Sequence, residues 1–155
     1  MKYSVLILIV LGAFILCMSP MVVLATDLSS AKVASITGEA KFLKKGGSEW
    51  QPLTKGEQLT EGDKIMTASA SQVELEMVGS NRIGNVIVRP DTEFTLQSLH
   101  HDPETKVETT LLDVEVGNIL VKAEKLVGES KFEVKTPTSI VGIRGTTFEV
   151  QVSKS

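Results

Sequence analysis

The sequence predicts an all-β fold, and three observations support this prediction. Short stretches that alternate apolar with polar residues follow one another along the chain, as expected of strands with one buried face. Turn-forming residues, mostly glycine, proline, asparagine and aspartate, separate these stretches at short intervals. After residue 25, no stretch keeps a helical period over several turns. We therefore expect about a dozen short strands.

The alternating stretches place strands along the middle and the end of the chain, at residues 73–78, 93–96, 110–116, 119–123 and 132–136. Glycines stand just before or inside other apolar stretches, at Gly38, Gly62 and Gly117, and a turn is expected at Gly117-Asn118. Loose coils of a β-solenoid, each closed by a glycine turn, would give this pattern. A β-sandwich would give it as well, so periodicity leaves both arrangements open.

The first 25 residues predict a secretory signal peptide. Lys2 supplies a positive charge before a continuous apolar run at residues 5–16, and Ala25 offers a small residue at a cleavage position. The alternative is an uncleaved membrane anchor, because residues 5–24 are nearly long enough to span a bilayer. Both alternatives place the rest of the chain outside the cytoplasm.

Cys17, the only cysteine, lies within this leader. Lipid attachment at Cys17 is disfavoured, because the bulky Leu16 stands where lipidation signals have a small residue. Removing 25 of the 155 residues leaves 130 residues with no thiol, which excludes disulfides, cysteine–metal sites and a cysteine nucleophile. An exported chain without disulfides suits a bacterial envelope at least as well as a eukaryotic secretory route, and we expect a periplasmic or extracellular location.

The charges exclude some classes of partner. The chain has 16 basic and 19 acidic residues, and removal of Lys2 with the leader changes the net charge from −3 to −4. These charges are scattered and form no basic block. We therefore expect neither nucleic acid nor an anionic lipid surface as the main partner.

The sequence predicts no catalytic site, metal site or cofactor. The two histidines, His100 and His101, are adjacent, and adjacent residues of a strand point to opposite faces, so a shared metal would need a turn at Asp102-Pro103. The simpler interpretation of this segment is a solvated loop between two strands. The chain has no G-x-S-x-G nucleophile elbow and no phosphate-binding loop. We therefore expect a protein that is not an enzyme.

The last long motif is T-P-T-S-I-V-G-I-R-G-T-T-F-E-V, residues 136–150. Pro137 is expected to end the preceding strand, and an apolar run from Ile140 to Ile143 is expected to form a buried strand. Gly142 stands in the middle of that run, where glycine costs stability unless a bulge or a close backbone requires it. The chain then breaks at Arg144-Gly145 and resumes as a half-exposed strand, whose shared face carries Phe148, Val150 and Val152.

This motif resembles the signature of the FecR domain, a bacterial envelope module. The stretches at 116–137 and 53–75, the latter with L-T-K-G-E-Q-L-T-E-G-D-K-I-M-T, resemble the family's preceding segments, so the resemblance covers residues 31–152. The chain departs from the family where N-R-I-G-N-V-I-V-R separates the Gly79-Ser80 turn from the turn at residues 90–92. The resemblance implies a compact solenoid-like β-domain, in preference to a sandwich.

The resemblance also implies roles for the motif residues. Arg144 is expected to donate to backbone carbonyls, and the alternative is contact with a ligand carboxylate or sugar acid. The other motif residues are expected to have structural roles: Thr136, Pro137, Gly142, Gly145, Thr146, Phe148, Gly62 and Asp63. Trp50, the only tryptophan, is expected to cap the core, and the alternative is a ring that stacks on a sugar.

The resemblance implies an extracytoplasmic binding module. Family members that regulate transcription hold a sigma factor with a cytoplasmic segment, and only residues 1–4 precede the apolar run here, so we expect no direct contact with a sigma factor. The expected partner is an envelope protein, bound through an exposed sheet edge or face. The alternative is peptidoglycan or a polysaccharide, with Trp50 and Arg144 as the candidate binding residues. We expect the membrane to be involved only through an uncleaved N-terminus.

Overall fold

The computed structural model describes residues 29–79, 82–126 and 128–153. The predicted leader, residues 1–25, lies outside this part of the chain. The described residues form strands and turns without a helix, so the all-β prediction is confirmed. Twelve strands are present in this part: β1 (Ser30–Thr37), β2 (Ala40–Leu43), β3 (Gln51–Pro52), β4 (Gln58–Leu59), β5 (Lys64–Thr67), β6 (Gln72–Val78), β7 (Arg82–Val88), β8 (Glu93–His101), β9 (Glu108–Ala123), β10 (Lys131–Lys135), β11 (Ile140–Ile143) and β12 (Thr147–Val152).

The strands form one sheet that divides into two halves. Strand β1 pairs with β6, which pairs with β7. In the same way, β2 pairs with β5, which pairs with β8. In the half that we call the β8 half, the order is β3-β2-β5-β8-β9-β10-β11. In the other, the β7 half, the order is β4-β1-β6-β7-β9-β12.

Strand β9 belongs to both halves. Its residues 108–116 pair with β8, and its residues 117–123 pair with β7 and β12. The sequence predicted two strands here, separated by a turn at Gly117-Asn118. This was wrong, because the backbone bends at Gly117 with φ of +106° and keeps its strand pairing on both sides. A Cβ atom at this position would overlap the backbone of Thr92, so the bend requires glycine.

Buried hydroxyl groups hold the backbone where the strands bend. Oγ1 of Thr92 accepts the N–H of Asn118 at 2.9 Å, and Oγ1 of Thr67 accepts the N–H of Thr92 at 3.1 Å. Between β1 and β2, Oγ of Ser71 accepts the N–H of Glu39 at 2.9 Å. These bonds explain why Thr67, Ser71 and Thr92 are almost fully buried although they are polar.

The apolar faces of the two halves supply the core. Along β9 the buried residues are Leu112 and Val114 before the bend, but Ile119 and Val121 after it. The inward positions therefore change from even to odd numbers, and the bend at Gly117 makes this change. The nine largest fully buried side chains of the described residues come from six strands: Phe94, Phe132, Leu59, Ile65, Leu75, Met77, Leu96, Leu112 and Ile119.

The solenoid-like arrangement is not confirmed. Neighbouring strands of the described part are antiparallel, with the single exception of the parallel pair β9–β10. The longer segment between the two predicted turns is strand β7, which pairs with β6 and β9. The C-terminal motif follows β10, which joins the sheet through the parallel pair with β9.

Candidate functional site: the edge strand of the C-terminal motif

The T-P-T-S segment forms a tight turn between β10 and β11. The N–H of Thr136 donates to the carbonyl oxygen of Ser139 at 2.8 Å, and the N–H of Ser139 donates to Oγ1 of Thr136 at 3.1 Å. Pro137 and Thr138 occupy the turn itself and are exposed. Strand β10 ends at Lys135, just before this turn, as the position of Pro137 predicted.

Strand β11 lies at the edge of the β8 half. Within the described part of the chain it pairs only with β10, in the register Val134↔Val141 and Lys135↔Ile140. Hydrogen-bonded and non-hydrogen-bonded pairs alternate in an antiparallel ladder, and Thr136 with Ser139 is a hydrogen-bonded pair. Counting from this pair, Val141 and Ile143 also belong to hydrogen-bonded pairs, so their backbone groups face β10. Those of Ile140 and Gly142 face outward, and we call these two residues the β11 edge.

Residues 140–143 form a strand, but the prediction that this strand is buried was wrong for every residue except Ile143. The Ile140 side chain is 64% exposed, although Ile143 is only 3% exposed. The cause is the position of β11, because an edge strand has one neighbour and the outer face of β10–β11 is open to solvent. Ile140 and Gly142 share this outer face with Glu133 and Lys135 of β10.

Gly142 has no structural requirement for glycine among the described residues. Its φ is not positive, and a Cβ atom added to it would have no atom within 4 Å. The bulge or close backbone that the sequence suggested is therefore not found in this part of the chain. A shallow cavity of about 230 Å³ opens over Gly142, between Glu133 of β10 and Arg144.

Arg144 lies in the connection from β11 to β12. Its side chain is exposed, and Nη2 donates to the carbonyl oxygen of Gly128 at 3.0 Å. Gly145 turns the chain with φ of +61°, and the carbonyl oxygen of Thr146 accepts the N–H of Ala123 at 3.1 Å. In β12, Phe148 is half-buried and packs against the core on the same face as Val150 and Val152.

A second concave surface lies beside this connection. It is a cleft of about 680 Å³, lined by His100, Asp102, Thr105, Lys106, Val107, Gly128 and Glu129. Gly128, the residue whose carbonyl accepts the bond from Arg144, is part of its wall. The N–H groups of Glu104 and Thr105 donate to Oδ1 of Asp102, which forms the turn that the sequence indicated.

The two histidines end strand β8 and point in different directions. His100 is exposed, whereas the His101 side chain is only 5% exposed. Nδ1 of His101 lies 2.9 Å from Oε1 of the buried Glu108, an electrostatic contact that is not aligned as a hydrogen bond. The prediction that both histidines lie in a solvated loop was therefore wrong. No group of three or more potential metal ligands occurs among the described histidine, aspartate and glutamate residues.

Asp63 is a buried carboxylate that organises the turn before β5. Its side-chain oxygens accept the N–H groups of Thr60 at 2.9 Å and Lys45 at 3.1 Å, and the ammonium of Lys44 at 2.9 Å. Burial by itself raises the pKa of Asp63. The hydrogen bonds from Thr60, Lys44 and Lys45 outweigh burial and lower the pKa below its ordinary value of 3.8. Gly62, with φ of +88°, packs against the side chain of Lys45 in the same turn.

The structure separates the two candidate binding residues. Trp50 is half-buried and directly precedes β3, which is one edge strand of the β8 half. Arg144 directly follows β11, the other edge strand, and five strands lie between them in the sheet order. The sequence missed the exposure of Ile140 and the burial of His101 and Glu108. No local signal marked the exposure of Ile140, because it follows from the position of β11 at the edge of the sheet.

Comparisons with known proteins address the family. The family model described as FecR protein matches residues 63–155, which include β5 to β12 and the whole C-terminal motif. No curated protein and no solved structure matches the chain. The described residues contain no helix that is long and apolar enough to cross a membrane. Because the matched region is more than half of the sequence, this chain belongs to the FecR family.

Proposed function

We propose that this protein is a non-enzymatic module of the bacterial envelope that acts as a sensor or scaffold by binding an added strand of a protein partner at the β11 edge. FecR domains are sensor-type domains of envelope signalling and are typically extracytoplasmic. The predicted signal peptide at residues 1–25 supports the same location. Family membership supports a binding role, and the geometry of the motif supports the β11 edge as the binding surface.

The unpaired backbone of the β11 edge is the observation that carries this proposal. Ile140 and Gly142 direct their N–H and C=O groups away from β10, and no described residue pairs with them. An extended segment of a partner can add to such an edge as a new strand, with its backbone bonds supplying affinity. Ile140, 64% exposed, offers apolar contact area beside these bonds.

The composition of β11 also favours binding. Free sheet edges are usually protected by charged residues, proline or very short strands. Strand β12, an edge strand of the β7 half, carries Glu149 and is protected in this way. Strand β11 reads Ile-Val-Gly-Ile, without a charge or a proline, so no side chain in it opposes a further strand, and its length of four residues limits the added pairing to a short segment.

The alternative ligand is peptidoglycan or a surface polysaccharide. The cleft lined by His100, Lys106 and Glu129 offers polar groups to a sugar. No phenylalanine, tyrosine or tryptophan lines this cleft, and sugar sites favour such rings, which stack on the sugar face. Trp50 lies beside the opposite edge of the β8 half. The geometry therefore favours a protein partner over a glycan.

The test is site-specific photo-crosslinking in the native envelope. A photoreactive residue replaces Ile140 in the full chain, and a matched variant carries it at Val78, an exposed position of β6 away from the β11 edge. We expect a discrete protein adduct from position 140, identified by mass spectrometry, and at least about tenfold less from position 78. Adducts that are equal at both positions would contradict the proposal. Retention of the chain on protein-stripped cell wall, lost in Trp50→Ala, would favour the glycan alternative.

A further inference from the structure

The β11 edge is complementary to itself. The outward backbone groups belong to Ile140 and Gly142, so a second antiparallel β11 can pair only in registers that bring these residues opposite each other or opposite other even-numbered positions. In one such register Ile140 of each copy faces Gly142 of the other. Two hydrogen-bonded pairs then form around a two-fold axis, with Val141 of one copy opposite Val141 of the other.

This register fits the side chains of the outer face. Ile140 is 64% exposed, and the space above Gly142 holds no atom within 4 Å of a Cβ position. Pairing Ile140 with Gly142 places each exposed isoleucine over the gap at the other copy's glycine. The register that pairs Ile140 with Ile140 would place Thr138, a turn residue, opposite Gly142, so fewer strand residues could pair. The register that pairs Gly142 with Gly142 would leave both gaps empty.

The same pairing explains the glycine. Within one chain, the described residues give no reason for glycine at position 142, since Gly142 has neither a positive φ nor a close neighbour. A neighbouring strand that brings an isoleucine against this position supplies the missing close approach. From these observations we infer that the strand bound at the β11 edge is β11 of a second copy of this chain, in a two-fold symmetric dimer. This inference rests on the proposed binding role of the β11 edge.

The expected dimer is weak and reversible. Two hydrogen-bonded pairs give four backbone hydrogen bonds, and the contact includes only a few side chains on each face. Such a contact is smaller than the interfaces of stable complexes, which bury about 1,200–2,000 Å². A closed two-fold pairing uses the edge of both copies, so it ends at two chains and does not extend into a fibre.

Disulfide trapping at the two-fold axis tests the inference. The full chain is expressed with Cys17→Ser and Val141→Cys, so that the introduced thiol is the only one. Val141 of the two copies would form a non-hydrogen-bonded pair with Cα atoms about 4.5 Å apart, within the range for a disulfide. Two variants serve as controls. Ile140→Cys would place its thiols on a diagonal, with Cα atoms about 7–8 Å apart, and Val78→Cys lies away from the edge.

We expect a covalent dimer under mild oxidation from Val141→Cys, at least about tenfold faster than from Ile140→Cys or Val78→Cys. Adding Gly142→Pro should abolish it, because proline removes the outward N–H and leaves the groups that face β10 intact. Equal rates for the three cysteines, in chains with the same circular dichroism spectrum, would overturn the dimer. A protein adduct at position 140 from another chain, without the cysteine dimer, would overturn self-pairing and leave the proposed function standing.

Discussion

At the scale of single residues, the buried Asp63 shows how a charge inside this fold is stabilised. Its side chain is 1% exposed and accepts bonds from two backbone N–H groups and the ammonium of Lys44. A buried carboxylate is tolerated only when such partners replace water. The resemblance to the FecR signature predicted a structural role for Asp63, and its contacts give the physical content of such a role.

The pKa of Asp63 predicts a dependence of stability on pH. Because the folded pKa lies below 3.8, ionised Asp63 stabilises the fold above about pH 3.8, and this contribution is lost as the pH falls through the folded pKa. Asp63→Asn should lower the free energy of unfolding at pH 7 by about 1–3 kcal/mol. It should also weaken the loss of stability in acid. Urea unfolding at pH 7 and in acid measures both effects.

The exposed Glu104 provides the control for this measurement, since Glu104→Gln removes a carboxylate without a buried partner. We expect this variant to change stability at pH 7 by less than about 0.5 kcal/mol. Equal effects of the two substitutions would show that the contacts of Asp63 do not stabilise the fold.

At the scale of elements, the β10–β11 hairpin separates inward from outward backbone groups. The N–H of Val141 faces β10, whereas the N–H of Gly142 faces away from it. Val141→Pro should therefore destabilise the chain by about 1–3 kcal/mol, because it removes a bond of the ladder. Gly142→Pro should change the stability by less than about 1 kcal/mol. The midpoints of urea unfolding, followed by circular dichroism, compare the two variants.

This comparison also checks the assignment of the β11 edge. If Gly142→Pro destabilises the chain as much as Val141→Pro does, the outward direction of the Gly142 backbone is wrong. The edge would then have different free groups, and the register that pairs Ile140 with Gly142 would lose its basis. The two proline variants thus test the geometry on which both proposals depend, without requiring a partner.

At the scale of the whole molecule, β9 connects the two halves of the sheet. It pairs with β8 and β10 on one side of the Gly117 bend and with β7 and β12 on the other. Neither half can lose its pairing without disturbing this strand, so we expect a single cooperative unfolding transition. Trp50 fluorescence reports on the β8 half, and circular dichroism reports on both halves. The midpoints of urea unfolding followed by these two signals should coincide. Two separate transitions would show that the halves unfold independently.

Particular strands show how far the sequence could predict the fold. Residues 73–78 and 132–136 alternate strictly, and the structure has β6 and β10 at these positions, with shifts of one residue. Gly117-Asn118 was predicted as a turn because glycine and asparagine favour turns. Local sequence does not distinguish a turn from a bend within a paired strand, because the distinction depends on β7, β8 and β12 as neighbours.

Some features of the candidate site could likewise be predicted from the sequence, and others could not. The turn at residues 136–139 could be predicted, because proline restricts its own backbone and threonine caps the turn with its hydroxyl. The exposure of Ile140 could not be predicted, because an apolar residue is buried or exposed according to which strands lie beside it. The separation of Trp50 from Arg144 could not be predicted from the sequence either, since it follows from the order of seven strands in the β8 half.

The sequence by itself determined the all-β class, the family and the turn that begins the C-terminal hairpin, because alternation, turn residues and a specific motif are local properties. Only the tertiary structure decided that β9 serves two halves, that His101 lies against Glu108, and that β11 lies at an edge. Each of these depends on contacts between residues far apart in the chain. The free backbone of Ile140 and Gly142, on which the proposed function depends, is a property of the strand order and not of any one segment.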